Sequence, residues 1–130
     1  MNLYYMINHG DNNWVDMELL PDNKTFMATT DSPNPLQMDI NTMQTSGRVK
    51  WEDDMQCISG IAHPKTINGV MVNHCYVLND KRKPELVVWK LTAEKPFYRE
   101  KIAQIPIKIN GYQHSFAYTD DYAVVFEPPL

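Results

Sequence analysis

Short runs of alternating apolar and polar residues, each closed by a turn-forming cluster, limit what this chain can fold into more than any other feature. Between Trp14 and Leu20, Asp16 and Glu18 alternate with apolar residues, which is the period of a β-strand with two unlike faces. Further strands are predicted at Thr25–Thr29, Leu36–Asp39, Val70–Leu78, Glu85–Leu91 and Phe97–Ile105, with a short apolar strand at Leu3–Ile7, and Met43–Val49 leads toward another strand. Turn signals separate them at intervals of about 8–12 residues. The pattern predicts an all-β sandwich, barrel or propeller.

Two turns in this series are specific enough to predict their geometry or position. Residues His63–Gly69 are predicted to be a loop that ends in Asn68-Gly69, the signature of a tight hairpin, because both residues tolerate positive φ. Near the end of the chain, Thr119-Asp120-Asp121 is turn-prone and is followed by a β-branched and aromatic run over Tyr122–Phe126. The stretch from Gly111 onward is therefore predicted to be strand, turn and strand, with His114 on the first strand.

Length and charge exclude several classes of protein. A chain of 130 residues is long enough for one domain with a modest core. Its formal net charge of −4 argues against nucleic acid as a partner, because binding phosphates requires clustered cations. The basic run Lys81-Arg82-Lys83 is interpreted as a solvated loop. No apolar run approaches the roughly 20 residues that span a bilayer. No secretion signal is expected, because residues 1–6 lack a basic segment and a long apolar segment.

Cys57 and Cys75 have no close spacing of the kind that a metal site or a disulfide framework shows. They are predicted to be reduced thiols in the core of a protein from a reducing compartment.

The candidate chemistry lies in four histidines. His9 falls in a polar turn and His74 in a strand, where an ordinary hydrogen bond would account for it. His63 and His114 each stand at a junction between an apolar run and a loop, where strand ends converge in radial folds. Residue types alone leave open whether these two are metal ligands or structural histidines, since their spacing matches no zinc signature.

The motifs around His63 and His114 resemble those of a known family. The second motif consists of His114-Ser115-Phe116-Ala117, Thr119, Tyr122, Val124, Glu127 and Pro129-Leu130. The first consists of Ala62-His63-Pro64, Asn68-Gly69 and Asn73, and Asp39-Ile40-Asn41-Thr42-Met43 precedes it. Both resemble the histidine motifs of the carotenoid cleavage oxygenases, and the two histidines lie 114 − 63 = 51 residues apart, which fits that family.

This resemblance implies a seven-bladed β-propeller in which four histidines hold one Fe(II). His63 and His114 match the first two of these ligands. Glutamates outside the ligand shell orient three of the four histidines in the family, and Asp31 matches the first of those glutamates. Because aspartate is one methylene shorter, we expect Asp31 to reach His114 only if the strand shifts or through a water. Loop hydrogen bonding before Pro33 is the alternative role of Asp31.

The resemblance further implies O2-dependent cleavage of a conjugated double bond in a carotenoid or apocarotenoid. Residues 1–130 are expected to be a single segment, about two blades, of a larger propeller domain, because the motifs of the third and fourth histidines would follow Leu130. The isolated segment is expected to be inactive. A cytoplasmic location with peripheral membrane contact is expected for the full protein. Two alternatives remain open: retinyl ester isomerohydrolysis on the same scaffold, and a non-catalytic β-domain.

Overall fold

The computed structural model describes residues 15–108 and 111–126, and within them the chain forms antiparallel β-sheets. The first sheet contains β1 to β4 in chain order, and the second contains β5 to β8 in chain order. A short hairpin of β9 and β10 follows. The strands are β1 Asp16–Leu19, β2 Thr25–Thr29, β3 Leu36–Asp39, β4 Thr45–Arg48, β5 Lys65–Ile67, β6 Val70–Leu78, β7 Pro84–Thr92, β8 Lys95–Pro106, β9 Ala117–Tyr118 and β10 Ala123–Val124. The all-β prediction is confirmed.

Side-chain hydrogen bonds and residues in the left-handed backbone conformation form the tight turns. The Asp22 carboxylate accepts bonds from the backbone N–H groups of Lys24 and Thr25, and Asn23, which follows Asp22, has φ 56°. At the predicted hairpin, Asn68 and Gly69 have φ values of 51° and 77°, as a two-residue turn with both residues at positive φ requires. This turn joins β5 to β6 and confirms the hairpin.

One apolar core lies between the two sheets. Its members come from both sheets and from the connection between them, and they are Leu20, Met27, Val49, Met71, Cys75, Val87, Trp89 and Leu91. From the second sheet the core takes odd-numbered residues, as the alternation of strand side chains dictates. Burying a side chain of this size stabilises the fold by about 1.5–3 kcal/mol.

A second apolar cluster covers the opposite face of the second sheet. It takes even-numbered residues from β6 and β7, joined by Phe116 from the C-terminal segment: Val72, Tyr76, Leu86, Val88 and Phe116. Strand β6 is therefore buried on both faces, and most of its nine residues are inaccessible to solvent. The segment carrying His114 packs on the far side of this sheet from β1 to β4.

The structure corrects two expectations about the strands. His114 lies in an extended segment that has no ladder partner, and the paired strands near it cover only Ala117–Tyr118 and Ala123–Val124. A short strand, Lys65–Ile67, also lies inside what the sequence indicated as a loop. The prediction for Leu3–Ile7 lies outside the described residues.

The prediction of two reduced thiols is wrong. Cys57 and Cys75 form a disulfide, with Cα atoms 5.8 Å apart and a sequence separation of 18 positions. Cys57 also forms an isolated antiparallel bridge with Val77, which lays the connection before His63 alongside β6. Sequence spacing missed the pair because this tertiary contact, and no local motif, brings the two cysteines together.

Candidate metal centre

His63 and His114 meet at one end of the two sheets. Their Nε2 atoms are 3.1 Å apart, and the ring planes are inclined at 81° with centroids 4.7 Å from each other. His63 lies in the loop before β5, and His114 lies in the extended segment before β9. Both rings are partly open to solvent, with 28% and 48% of their side-chain surfaces exposed. The structure thus brings together the two histidines that the motifs singled out.

The other ring nitrogen of His63 is bound by a carboxylate. Nδ1 lies 2.7 Å from Oδ2 of Asp16, the first residue of β1. The pKa of Asp16 lies below its ordinary value, and the hydrogen bond with His63 is the main cause. Asp16 was placed on a polar strand face by the sequence, but nothing in the sequence connected it with His63, 47 residues away.

The corresponding nitrogen of His114 faces Asp31 and Tyr112. His114 Nδ1 lies 3.2 Å from Oδ2 of Asp31 and 3.0 Å from the Tyr112 hydroxyl. That hydroxyl donates to the same Asp31 oxygen at 2.6 Å, a bond that raises the pKa of Tyr112. Asp31 therefore reaches His114 directly despite its short side chain. Tyr112 was missed, and no sequence signal distinguishes it from other exposed tyrosines.

Hydrogen bonds from both sheets hold the backbone of the loop that carries His63. The Thr29 hydroxyl donates to the Ala62 carbonyl at 2.5 Å, and Asn73 Nδ2 donates to the Ile61 carbonyl at 2.9 Å. The Gly60 N–H donates to the Asp31 carbonyl at 2.9 Å. The loop with His63 and the loop with Asp31 are thereby joined directly, so the positions of ligand and carboxylate depend on each other.

The segment carrying His114 is anchored by a different histidine. His74 on β6 is buried, and its Nε2 lies 2.7 Å from Oε1 of Gln113, while Gln113 donates from Nε2 to the Phe126 carbonyl at 2.8 Å. Burial lowers the pKa of His74, although the Gln113 bond opposes this. His74 is thus a strand histidine with an ordinary hydrogen bond, as interpreted from sequence. His9 lies outside the described residues.

Two imidazoles are what this site offers to a metal. Within residues 15–108 and 111–126, no group of three or more His, Cys, Asp or Glu side chains could hold an ion. With both Nδ1 atoms engaged, the two Nε2 lone pairs converge, and a contact of 3.1 Å between them requires a proton or a cation to separate them. Imidazole nitrogens lie about 2.0–2.1 Å from a bound metal, so two on one ion are about 2.8–3.4 Å apart at right-angled or tetrahedral geometry. The pair fits half of an imidazole ligand set.

A comparison with models of protein families identifies the family of this chain. The model described as retinal pigment epithelial membrane protein (RPE65) matches residues 6–130. The chain belongs to the RPE65 family of carotenoid oxygenases. In the RPE65 fold, its two four-stranded antiparallel sheets correspond to about two propeller blades. Members of the RPE65 family typically use Fe(II), for which neutral imidazoles are suitable ligands.

A search of curated protein sequences gives no match to the chain. Among the residues that the structure describes, no helix has the length and hydropathy to cross a bilayer.

Proposed function

We propose that this chain supplies half of the metal centre of a non-haem iron(II) oxygenase that cleaves a conjugated double bond of a carotenoid or apocarotenoid with O2. The observation that supports it is the convergence of the His63 and His114 Nε2 atoms at 3.1 Å, with each Nδ1 atom held by a carboxylate. Two further histidines, as the family has them, would complete the ligand set. The reaction consumes one O2 and replaces one C=C bond by two C=O groups.

In this proposal each residue has a defined task. His63 and His114 are iron ligands through Nε2, and they are neutral, so the bound ion keeps its positive charge. Asp31 accepts a hydrogen bond from His114 Nδ1 and thereby fixes the orientation of that ring. Bound Fe(II) supplies the redox chemistry that O2 needs in order to react with a polyene.

The substrate determines the cellular setting that we propose. Carotenoids and retinoids are apolar and partition into bilayers, so an enzyme acting on them must collect them at a membrane surface. We place the protein in the cytoplasm, with peripheral membrane contact and without a nucleic-acid partner. We propose that residues 1–130 act as one segment of the propeller domain and are inactive alone.

Metal binding by the 130-residue chain is the first test. We expect Co²⁺, a spectroscopic substitute for Fe²⁺, to bind with one-to-one stoichiometry and with absorption bands of nitrogen ligation. His63→Ala and His114→Ala should each weaken binding by at least about tenfold, because each removes one of two ligands. His9→Ala is the matched control and should bind like the unchanged chain. Full cobalt binding by His114→Ala would refute the ligand assignment.

Activity is tested in a polypeptide that contains all four histidines. Residues 6–130 would replace the matching segment of a catalytically competent RPE65-family protein, and carotenoid products would be identified by mass spectrometry. Aldehyde or ketone apocarotenoids are expected. Formation of 11-cis-retinol from a retinyl ester would instead indicate isomerohydrolysis, and a chimera that loads iron but yields neither product would contradict the proposed activity.

A further inference from the structure

We infer that Asp16 is a positioning residue for His63, so that each of the two converging imidazoles has its own aspartate. This inference rests on the proposed function, in which His63 is a metal ligand. The resemblance assigned one carboxylate, Asp31, and placed it on His114. The contact between Asp16 and His63 is an additional one that the motifs did not contain.

The geometry of the contact is that of a strong, charge-assisted hydrogen bond. Asp16 Oδ2 lies 2.7 Å from His63 Nδ1, which is 0.5 Å closer than the 3.2 Å between Asp31 Oδ2 and His114 Nδ1. About a third of each of the two side-chain surfaces is accessible, 28% for His63 and 35% for Asp16. The carboxylate accepts only, so Nδ1 must carry a proton, and in the neutral ring the lone pair is then on Nε2.

The position of Asp16 is held independently of His63. The other carboxylate oxygen of Asp16, Oδ1, accepts a hydrogen bond from the Met17 N–H at 2.8 Å. The backbone of Asp16 pairs with Thr29 in the ladder between β1 and β2. The Thr29 hydroxyl lies within hydrogen-bonding distance of the carbonyl oxygens of both Asp16 and Ala62, at 3.2 and 2.5 Å. One side chain therefore links the strand that carries Asp16 to the loop that carries His63.

The consequence for a bound metal is twofold. A hydrogen-bonded carboxylate selects the tautomer whose Nε2 is free to bind, and it increases the basicity of the ring as a ligand. Removing such a partner typically weakens metal affinity by about 10–100-fold. Asp16 binds Nδ1, the ring nitrogen that faces away from His114, and so acts through His63 as a positioning group and not as a ligand.

The test uses the 130-residue chain in three forms: unchanged, Asp16→Asn, and Asp80→Asn as the control. Asn has the size of Asp but can donate as well as accept, so it no longer selects one tautomer. Asp80 is exposed in the turn between β6 and β7, and its substitution changes net charge equally. The readouts are the ¹⁵N shifts of the His63 ring in the metal-free chain at mildly alkaline pH and the affinity for Co²⁺.

We expect a protonated Nδ1 on His63 in the unchanged chain and in Asp80→Asn. Asp16→Asn should shift the ring toward protonation at Nε2 and bind Co²⁺ about 10–100-fold more weakly. Unchanged ring shifts in Asp16→Asn would overturn the inference, even if affinity or stability fell, because a merely structural role leaves the tautomer alone. If no form binds Co²⁺, the proposed function fails, and the ring shifts still decide the role of Asp16.

Discussion

At the scale of single residues, the role of each described imidazole follows from which nitrogen is already engaged. His63 and His114 use Nδ1 for their carboxylates, which leaves Nε2 pointing at the other ring. His74 uses Nε2 for Gln113, is buried, and packs edge-on against Phe116 with centroids 4.9 Å apart. The same side chain is therefore a candidate ligand in two places and a core anchor in the third.

A buried ion pair is the second residue-scale feature. Arg99 stacks on Trp51, and it donates to both carboxylate oxygens of Asp53 at 2.7 and 3.0 Å. The two side chains are only 5% and 7% exposed. Burial by itself raises the pKa of Asp53, but the hydrogen bonds from the Arg99 side chain and backbone outweigh it and hold that pKa below its ordinary value.

We therefore predict that Asp53→Asn lowers the free energy of unfolding at neutral pH by about 3–5 kcal/mol, because it leaves the Arg99 charge buried without a partner. Because the carboxyl pKa is lower in the folded protein, the ion pair contributes its full stability at pH values above the pKa of the unfolded chain, about 3.9. That contribution is lost as the pH falls through the pKa of the folded protein. Urea unfolding between neutral and acidic pH measures both effects. The exposed neighbour Asp54→Asn should change stability by less than about 0.5 kcal/mol, and an equal loss in both variants would contradict the prediction.

At the scale of elements, two connecting loops place the site, and a glycine lets them touch. A Cβ on Gly60 would lie 2.2 Å from the Ser32 carbonyl oxygen, far inside van der Waals contact. The same glycine donates its N–H to the Asp31 carbonyl. The loop ahead of β5 and the loop after β2 can therefore approach closely only with glycine at this position, and His63 and Asp31 are carried by these loops.

We predict that Gly60→Ala destabilises the chain by at least about 1–3 kcal/mol, the range for overpacking, and also weakens Co²⁺ binding, because the loops must separate. Gly69→Ala is the matched control, since it strains a left-handed turn residue with φ 77° but meets no neighbour within 4 Å. It should lower stability by about 1 kcal/mol and leave cobalt affinity unchanged. Thermal unfolding and cobalt titration of both variants measure this, and equal cobalt affinity in the two would refute it.

At the scale of the whole molecule, the candidate site joins parts that are distant in the chain. Asp16 is the first residue of β1, and Asp31 lies just after β2. His63 precedes the second sheet, and His114 follows it. The sheets share one apolar core, so their packing sets the distances between these four side chains. A metal bound by both histidines would add a cross-link at the end of that core.

Metal should therefore stabilise the whole fold. A ligand that binds only the folded state adds about 2.7 kcal/mol when its free concentration is 100 times its dissociation constant. We predict a concentration-dependent rise in Tm with Co²⁺ that EDTA reverses and that His63→Ala and His114→Ala both lack. An equal rise in Tm in the variant that carries both His63→Ala and His114→Ala would show that cobalt binds elsewhere on the chain.

Much of this architecture could be predicted from local sequence. The bounds of β2 and β3, the Asn68-Gly69 hairpin and the all-β class follow from period-two alternation and from turn residues, which act over a few positions. The motifs also indicated His63, His114 and Asp31, and the structure brings these three side chains together, while their roles as ligands and positioning group stay predictions. What local sequence missed were contacts between distant segments: the Cys57–Cys75 disulfide, Asp16 on His63, and Tyr112 on Asp31.

The sequence by itself determined the all-β class, most of the strands and the Asn68-Gly69 turn, and its motifs indicated the family. Only the tertiary structure decided which carboxylate faces which imidazole and which histidine is buried. The physical reason is that alternation and turn propensity are properties of neighbouring residues, whereas a hydrogen bond such as Asp16 to His63 spans 47 positions. It exists because two sheets pack on one core, and no local pattern encodes the distance that this packing leaves between them.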